Sequence, residues 1–432
     1  MRFFLLTALL CSPLAFASGQ DSLTVESVLD QVLKNNPSIQ QSEFNLEASK
    51  ARVGEAESSY LPSFDVDASY VRLGPVPTIG FGGLVFKLYP ENNYDGHVSG
   101  RYTLYDFGMR SAAVDLSQSM VRLSADGVDA VRENLRYQTT RLFYTILFLQ
   151  ESGRVQDEEI ETLNEHLRIA QEKERTGSAT SFDVLTTRVR VGEAQKQRTD
   201  IRNALEKQQA TLRQLMGLPA GSPIDLSGTF DTDTSSASVD RLLDLAAVQR
   251  PDLRLARDQE AAAQMRVRSR AAADRPVLRL HAMYGVKNGY IPNLDVLRGN
   301  WNLGVQAQVP LLDGGRTSHQ VEEAEWELRA AAERVREVSL KVRADIEQAL
   351  SDFDAARVST EISRLQTMQA RDAYDLARRR YDAGSSTNLD VLDAATRLAQ
   401  SRLGFLRARY QLRLAVAELQ HVSGSGQVHG GP

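Results

Sequence analysis

Cysteine is almost missing from this sequence: there is one in 432 residues. It is Cys11, inside an apolar N-terminal run, so no disulfide framework can hold the fold. Long apolar runs are missing as well. Past the N-terminus no segment approaches the roughly 18 consecutive apolar residues of a membrane-spanning helix, and any insertion into a bilayer has to use strands. There is no strong charge of one sign, since 51 Lys and Arg stand against 56 Asp and Glu. That balance gives no reason to expect nucleic acid as a partner. The six histidines are scattered without ligand spacing. Gly80-Phe81-Gly82-Gly83 lacks the strand, Lys and Ser/Thr of a phosphate loop. No nucleophile constellation is visible. The expectation is a protein with no metal, no cofactor and no catalytic residues.

What is present is a duplication. Gly384-Ser385-Ser386-Thr387-Asn388-Leu389-Asp390-Val391-Leu392 repeats Gly177-Ser178-Ala179-Thr180-Ser181-Phe182-Asp183-Val184-Leu185 at an offset of 384 − 177 = 207, with six of nine residues identical. Each copy of this stretch interrupts a long helical pattern, so each half of the chain holds a long helical hairpin. Between Ser111 and Thr176 there is no proline, and only Gly127 and Gly153 weaken the helix. At 1.5 Å per residue that rod is on the order of 100 Å long. Val335, Val338, Val342, Ile346, Ala349, Phe353 and Ala356 place an apolar stripe of heptad-like period on the second rod. The return helix after the first tip, about Ser181 to Met216, is half the length of its partner, and the earlier helix Asn36 to Tyr60 is expected to make up the difference end to end.

Met1 to Ala17 reads as a secretory signal peptide: one basic residue, a short apolar run and an Ala-x-Ala site. The organisation expected after it is a first structural repeat over 18–217, a linker or equatorial segment over 218–240, a second repeat over 241–422 and a flexible tail over 423–432. Each repeat orders its parts as helix, strand pair (62–105 and 277–310) and helical hairpin (111–216 and 316–422). A Gly- and Pro-rich excursion covers about Gly74 to Asp95.

The strands carry the architecture. Phe64, Val66, Ala68, Tyr70, Val98, Tyr102, Leu104, Leu278, Leu280, Tyr284, Trp301, Leu303 and Val305 alternate with Asp65, Asp67, Ser69, Ser99, Arg101, Thr103, Arg279, His281, Asn302, Gln306 and Gln308. One face is apolar and the other polar, the pattern of a transmembrane barrel. Four strands cannot close a barrel, which takes about eight, and open edges cannot face lipid. Several chains must share one barrel, and three would supply twelve strands. Long hairpins without a core of their own need the same neighbours. A soluble antiparallel layer with one buried face is the competing reading of the strands. Tyr70, Tyr94, Tyr102, Tyr284 and Trp301 read either as interfacial girdles or as ordinary strand packing.

The duplication, the Pro-started helices at Asn36-Pro37 and Arg250-Pro251, the joints Asp106-Phe107-Gly108 and Asp313-Gly314-Gly315, and Tyr381 to Thr396 around the second tip together resemble the TolC-like outer membrane efflux family. The resemblance covers nearly the whole chain after the leader. It implies a mostly helical fold with a small β part: coiled-coil hairpins forming an α-barrel, and four strands per chain in a shared 12-stranded transmembrane β-barrel. It implies a homotrimer in the outer membrane of a Gram-negative cell, in contact with its lipid, with the helical part in the periplasm. The partners it implies are a periplasmic adaptor and an inner-membrane transporter, and the activity is export, by efflux or type I secretion, without catalysis. A periplasmic coiled-coil adaptor linking the membranes is the alternative; it should have one hairpin and soluble β-domains.

The resemblance also implies site residues. Asp390 and Asp393 fall on an aspartate pair that lines the constriction, and Asp183 and Tyr381 on positions that help hold the tips closed. Family examples carry an arginine two residues after the tip glycine; here Ser386 and Ala179 stand there, so the closing network differs. Asp183 and Asp390 are also readable as first-turn carboxylates stabilising helix starts, though at Asp390 the second carboxylate of Asp393 on the same face favours the functional reading. Gly177, Ser178, Gly384 and Ser385 are turn residues and candidate docking points for the adaptor. In a trimer, crowding of Asp390 and Asp393 raises some carboxylate pKa values and attracts cations.

Overall fold

The computed structural model describes residues 22–232 and 238–424. The expected signal peptide, with Cys11, lies outside them. In chain order the elements are α1 (Val25–Asn35), α2 (Pro37–Ser58), β1 (Ser63–Arg72), β2 (Thr78–Phe81), β3 (Leu84–Lys87), β4 (Asn92–Tyr105), α3 (Met109–Arg175), α4 (Ser181–Met216), α5 (Val239–Gln249), α6 (Pro251–Ala271), β5 (Val277–Lys287), β6 (Arg298–Gln308), α7 (Arg316–Asp382) and α8 (Asn388–Val422). The Gly- and Pro-rich excursion thus carries a short hairpin of its own, β2–β3, that alternation in the sequence did not reveal. The chain forms two compact units, and each draws on both sequence halves. Among the described residues, one takes 22–37, 134–232 and Gln348–His421; the other takes Ser38–Glu133, Ser238–Glu347 and 422–424.

The second unit holds a four-stranded antiparallel sheet in the order β1-β4-β5-β6. Its register aligns Val66, Val98, Tyr284 and Trp301 across one face, and Asp67, His97, Gly285 and Asn300 across the other. The alternation read from the sequence therefore becomes two faces, one apolar and one polar. The apolar face is uncovered in the chain: Val66 is 80% exposed, Phe64 72% and Trp301 74%. β1 and β6 each keep an unpaired edge among the described residues.

Two glycines let histidines lie against the polar face. A Cβ on Gly304 would sit 2.5 Å from the His281 ring, and one on Gly285 would sit 2.5 Å from His97 Cβ and against the Gly96 carbonyl. Because backbone blocks the second position, Gly285→Ala must push β4 and β5 apart. The expected result is loss of the folded sheet, followed as loss of the compact band on unheated gels. Gly299→Ala, where the nearest atom is 4.0 Å away, should fold normally.

The joints between sheet and helix are carboxylate caps. Asp106 accepts from the backbone N–H of Gly108 (3.2 Å) and Arg110 (3.1 Å) and from Arg110 Nε (2.7 Å). Asp313 does the same for Gly315 (3.0 Å) and Thr317 (2.8 Å), and also accepts from the Thr317 hydroxyl (2.6 Å). Each carboxylate satisfies N–H groups that the first helical turn leaves orphaned. The glycines follow from the turn: Gly108, Gly314 and Gly315 have φ of 91°, 69° and 82°, and Phe107 at 52° is the one non-glycine so placed among the described residues.

The Pro-started helices meet the hairpins at matching points. Asn36 Nδ2 donates to the Leu215 carbonyl (3.0 Å), bringing the start of α2 to the end of α4. Arg250 Nη1 donates to the Val422 carbonyl (3.4 Å), bringing the start of α6 to the end of α8, while Arg250 Nη2 pairs with Asp345 (2.6 Å). The segment after Gly217 is anchored: Ile224, Leu226 and Phe230 are buried, and Leu23 bridges to Leu226. At the other end, Ser423 is buried and Gly424 abuts the Arg250 backbone, so the tail expected to be flexible from Ser423 begins as packed chain. Its remainder lies outside the described residues.

Candidate functional site: the helical tips

Both tips lie in the first unit, and each begins with a left-handed glycine. Gly177 has φ 76° and Gly384 φ 73°, a conformation that costs side-chain-bearing residues about 1–2 kcal/mol. The ends of α3 and α7 are closed by the same pair of bonds. Ser178 N donates to the Lys173 carbonyl (2.7 Å) and Gly177 N to Glu174 (3.0 Å); Ser385 N donates to Arg380 (2.8 Å) and Gly384 N to Tyr381 (3.1 Å). These bonds satisfy carbonyls that a helix end leaves orphaned. Ser178 and Ser385 stay exposed.

The next helices start on capping boxes. Thr180 Oγ1 accepts from Asp183 N (3.2 Å), and the Asp183 carboxylate accepts from Thr180 N (2.9 Å) and Oγ1 (2.7 Å). Asp390 repeats this with Thr387 N (2.9 Å) and Oγ1 (2.7 Å), and adds the Ser386 hydroxyl (2.9 Å). Ser386, which replaces the family's arginine, is therefore a donor to Asp390. The Thr387 N–H, then the hydroxyls of Thr387 and Ser386, hold the Asp390 carboxyl below the ordinary carboxylate range. Asp393 is also exposed, with the Arg190 guanidinium 4.0 Å away. Val391 and Leu392 are buried, so Asp390 and Asp393 share the open side of α8. Local capping occupies Asp183 and Asp390; no cross-tip bond from either carboxylate occurs among the described residues.

What joins the two tips is a buried knot that sequence reading missed. Asn388 opens α8 and is 5% exposed. Its Oδ1 lies 2.7 Å from His166 Nε2 on α3. Its Nδ2 donates to the Asp183 carbonyl (3.2 Å) and to Thr187 Oγ1 (3.3 Å) on α4. Thr187 Oγ1 itself donates to the Asp183 carbonyl (2.8 Å). Tyr381, at the end of α7, packs its ring 5.1 Å from His166 and 3.8 Å from Lys173 Nζ, a cation–π contact. Lys173 also donates to the Tyr381 carbonyl (2.8 Å). The Tyr381 hydroxyl is buried and has no hydrogen-bond partner among the described residues. Burial pushes its pKa up, and the carboxylates of Asp183 and Asp382 push it further. Burial lowers the His166 pKa; the Asn388 bond and Asp382 oppose this, while Lys173 and Arg378 reinforce it.

Asn388 could have been noticed in the sequence. It stands where the first tip has Ser181, one of three mismatches in the nine-residue repeat. His166 carries no such signal. It occupies a helix interior far from any motif.

These features define a membrane channel subunit more readily than an enzyme: strands with a bare apolar face, and helical hairpins ending in capped tips. The family model "Outer membrane efflux protein" matches residues 28–218 and 242–425, and the chain belongs to that family. It is similar to Protein CyaE of Bordetella pertussis, 25% identical over 413 residues that cover 94% of this chain and 85% of that one. It is similar to the pyoverdine export outer membrane protein OpmQ of Pseudomonas aeruginosa, 25% identical over 90% of this chain and 82% of that one. Among solved structures, the Campylobacter jejuni CmeC outer membrane channel superposes with a TM-score of 0.79 at 20% identity, over 93% of this chain and 86% of that one. The protein is a non-enzymatic outer membrane channel protein, and its fold is the family's combination of long helical hairpins and a small β part.

Proposed function

We propose that three copies of this chain form one channel-tunnel, which exports substrates received from a periplasmic adaptor and an inner-membrane transporter. The observation that carries this reading is the sheet: four strands with an uncovered apolar face and two open edges. Each unpaired backbone group facing lipid costs several kcal/mol, and only further copies can pair β1 and β6. Three copies close a twelve-stranded barrel with the apolar face on lipid and the polar face on the lumen. The repeats over 18–217 and 241–422 then place two hairpins per copy in the periplasmic wall. OpmQ's export role and its similarity over most of this chain support transport as the activity.

Gly177, Ser178, Gly384 and Ser385 are the adaptor's docking points in this reading, and Asp183, Tyr381, Asp390 and Asp393 belong to the gate. Phe182 and Leu389, at equivalent places in the two tips, are 72% and 60% exposed, and they offer apolar surface beside the two serines. Ser178→Trp with Ser385→Trp should therefore abolish export in cells while trimers still assemble. Normal export by that double variant would refute docking at the tips. Recovery of the wild-type chain from detergent only as monomers would refute the shared barrel.

A further inference from the structure

We propose that His166, Asn388 and Thr187 form a latch that fastens the second tip to the first, and that protonation of His166 releases it. This inference rests on the tips being the gate. The bonding order fixes the hydrogen on one ring nitrogen. The Asp183 carbonyl can only accept, so the Asn388 amide must turn its NH2 toward Asp183 and its oxygen toward His166. His166 Nε2 therefore carries the hydrogen, and Nδ1 is the atom that titrates. Through Nε2–H, which both charge states keep, the imidazole holds an amide that spans α4 and α8, and the same ring packs beside Tyr381 on α7; His166 is only 6% exposed, so protonation at Nδ1 acts by placing a charge in a buried site.

The surroundings oppose a charge on that ring. On α3, Lys173 is a cation close by, and on α7 so is Arg378, which lines the same groove as His166. Asp382 on α7 is the carboxylate favouring the charged form. Glu158, Glu161 and Glu165 on α3 also line the groove, but Glu158 is paired with Arg402 on α8 (2.9 Å) and Glu165 with Arg168 (2.8 Å). Tyr374 and Tyr381 on α7 face the ring neutral. From α4 come Thr187 and the Asp183 carbonyl, with the Asp183 carboxylate held in its own cap. An imidazole depressed when packed regains its ordinary affinity for protons when the tips part and water reaches it. The packed tip is then favoured above the ordinary histidine pKa and loses that advantage as pH falls below it.

The test is amide hydrogen exchange in Asn388–Leu392 of the full chain in detergent, between about pH 7.5 and about pH 5.5, where histidine titrates, corrected for intrinsic exchange. Wild type should exchange faster in acid, by up to about tenfold for each unit by which the packed imidazole is depressed. His166→Gln keeps an N–H donor and cannot titrate, so its exchange should stay slow at both values. Asn388→Leu should exchange fast at both. An acid response in His166→Gln equal to wild type overturns the latch, and so does a wild-type His166 that titrates like a free histidine by NMR. Bilayer conductance read in parallel separates the two ideas: an acid-released segment without a change in conductance retains the latch and removes the gate.

Discussion

In the proposed trimer, Asp390→Ala with Asp393→Ala should abolish preference for cations and block by polyvalent cations in planar bilayers. The two carboxylates share the open side of α8, one turn apart, just past the tip. If the tips form the proposed constriction, three copies put six negative charges in a narrow ring. A charge-lined constriction with low-dielectric walls concentrates counter-ions by about 10-fold or more, so the affinity of the block should drop by at least that factor. Asp390 is also a cap, so the double variant tests helix starts as well as charge. Asp390→Asn separates the two, since asparagine caps nearly as well as aspartate but carries no charge. Within one chain the bonds from Thr387 and Ser386 depress the Asp390 pKa. In the single chain its charge should persist through mild acid and be lost only as pH falls through that depressed value, while crowding of like charges in the proposed trimer works against this and moves the loss of block to higher pH. Unchanged selectivity in both variants would remove the aspartate ring from the channel's function.

The second large effect separates two changes at one residue. Tyr381→Ala empties a space between His166 and Lys173 in a buried site, a deletion that costs about 3–5 kcal/mol for aromatic side chains. The tips should part, and resting conductance should rise severalfold. Tyr381→Phe should do the opposite. The hydroxyl it removes is buried without a partner among the described residues, and an unmade hydrogen bond of that kind costs about 1–3 kcal/mol. The ring and its packing survive in Tyr381→Phe, so the tips should stay shut and their amides should exchange no faster than in wild type. A leaky Tyr381→Phe channel would mean that the hydroxyl finds a partner in the neighbouring copy, and that the gate is closed by that bond and not by packing.

The long helices and the four strands of the main sheet were legible because their signals are local and strong. A 67-residue helix such as α3 declares itself by the absence of proline, and the strands by alternation that survives into the register of β1 with β4 and β5 with β6. The joint at Asp106 is legible as a turn, yet its work as a cap for Gly108 and Arg110 is visible only in three dimensions. Tyr381 stands out by resemblance alone, and nothing in its sequence neighbourhood places Lys173 on its ring. His166 reads as one of six scattered histidines, because its partner Asn388 is 222 residues away.

By itself, the sequence determined the repeat, the helical hairpins, the two-faced strands and the impossibility of closing a barrel with one copy. Those properties depend on period, composition and backbone hydrogen-bond accounting, all of which are written along the chain. Tertiary structure alone decided which side chains meet at the tips: the His166–Asn388–Thr187 knot, the buried Tyr381 and the local capture of Asp183 and Asp390. Such contacts join four helices distant in sequence, and their strength comes from burial and orientation, quantities that exist only once those helices have packed.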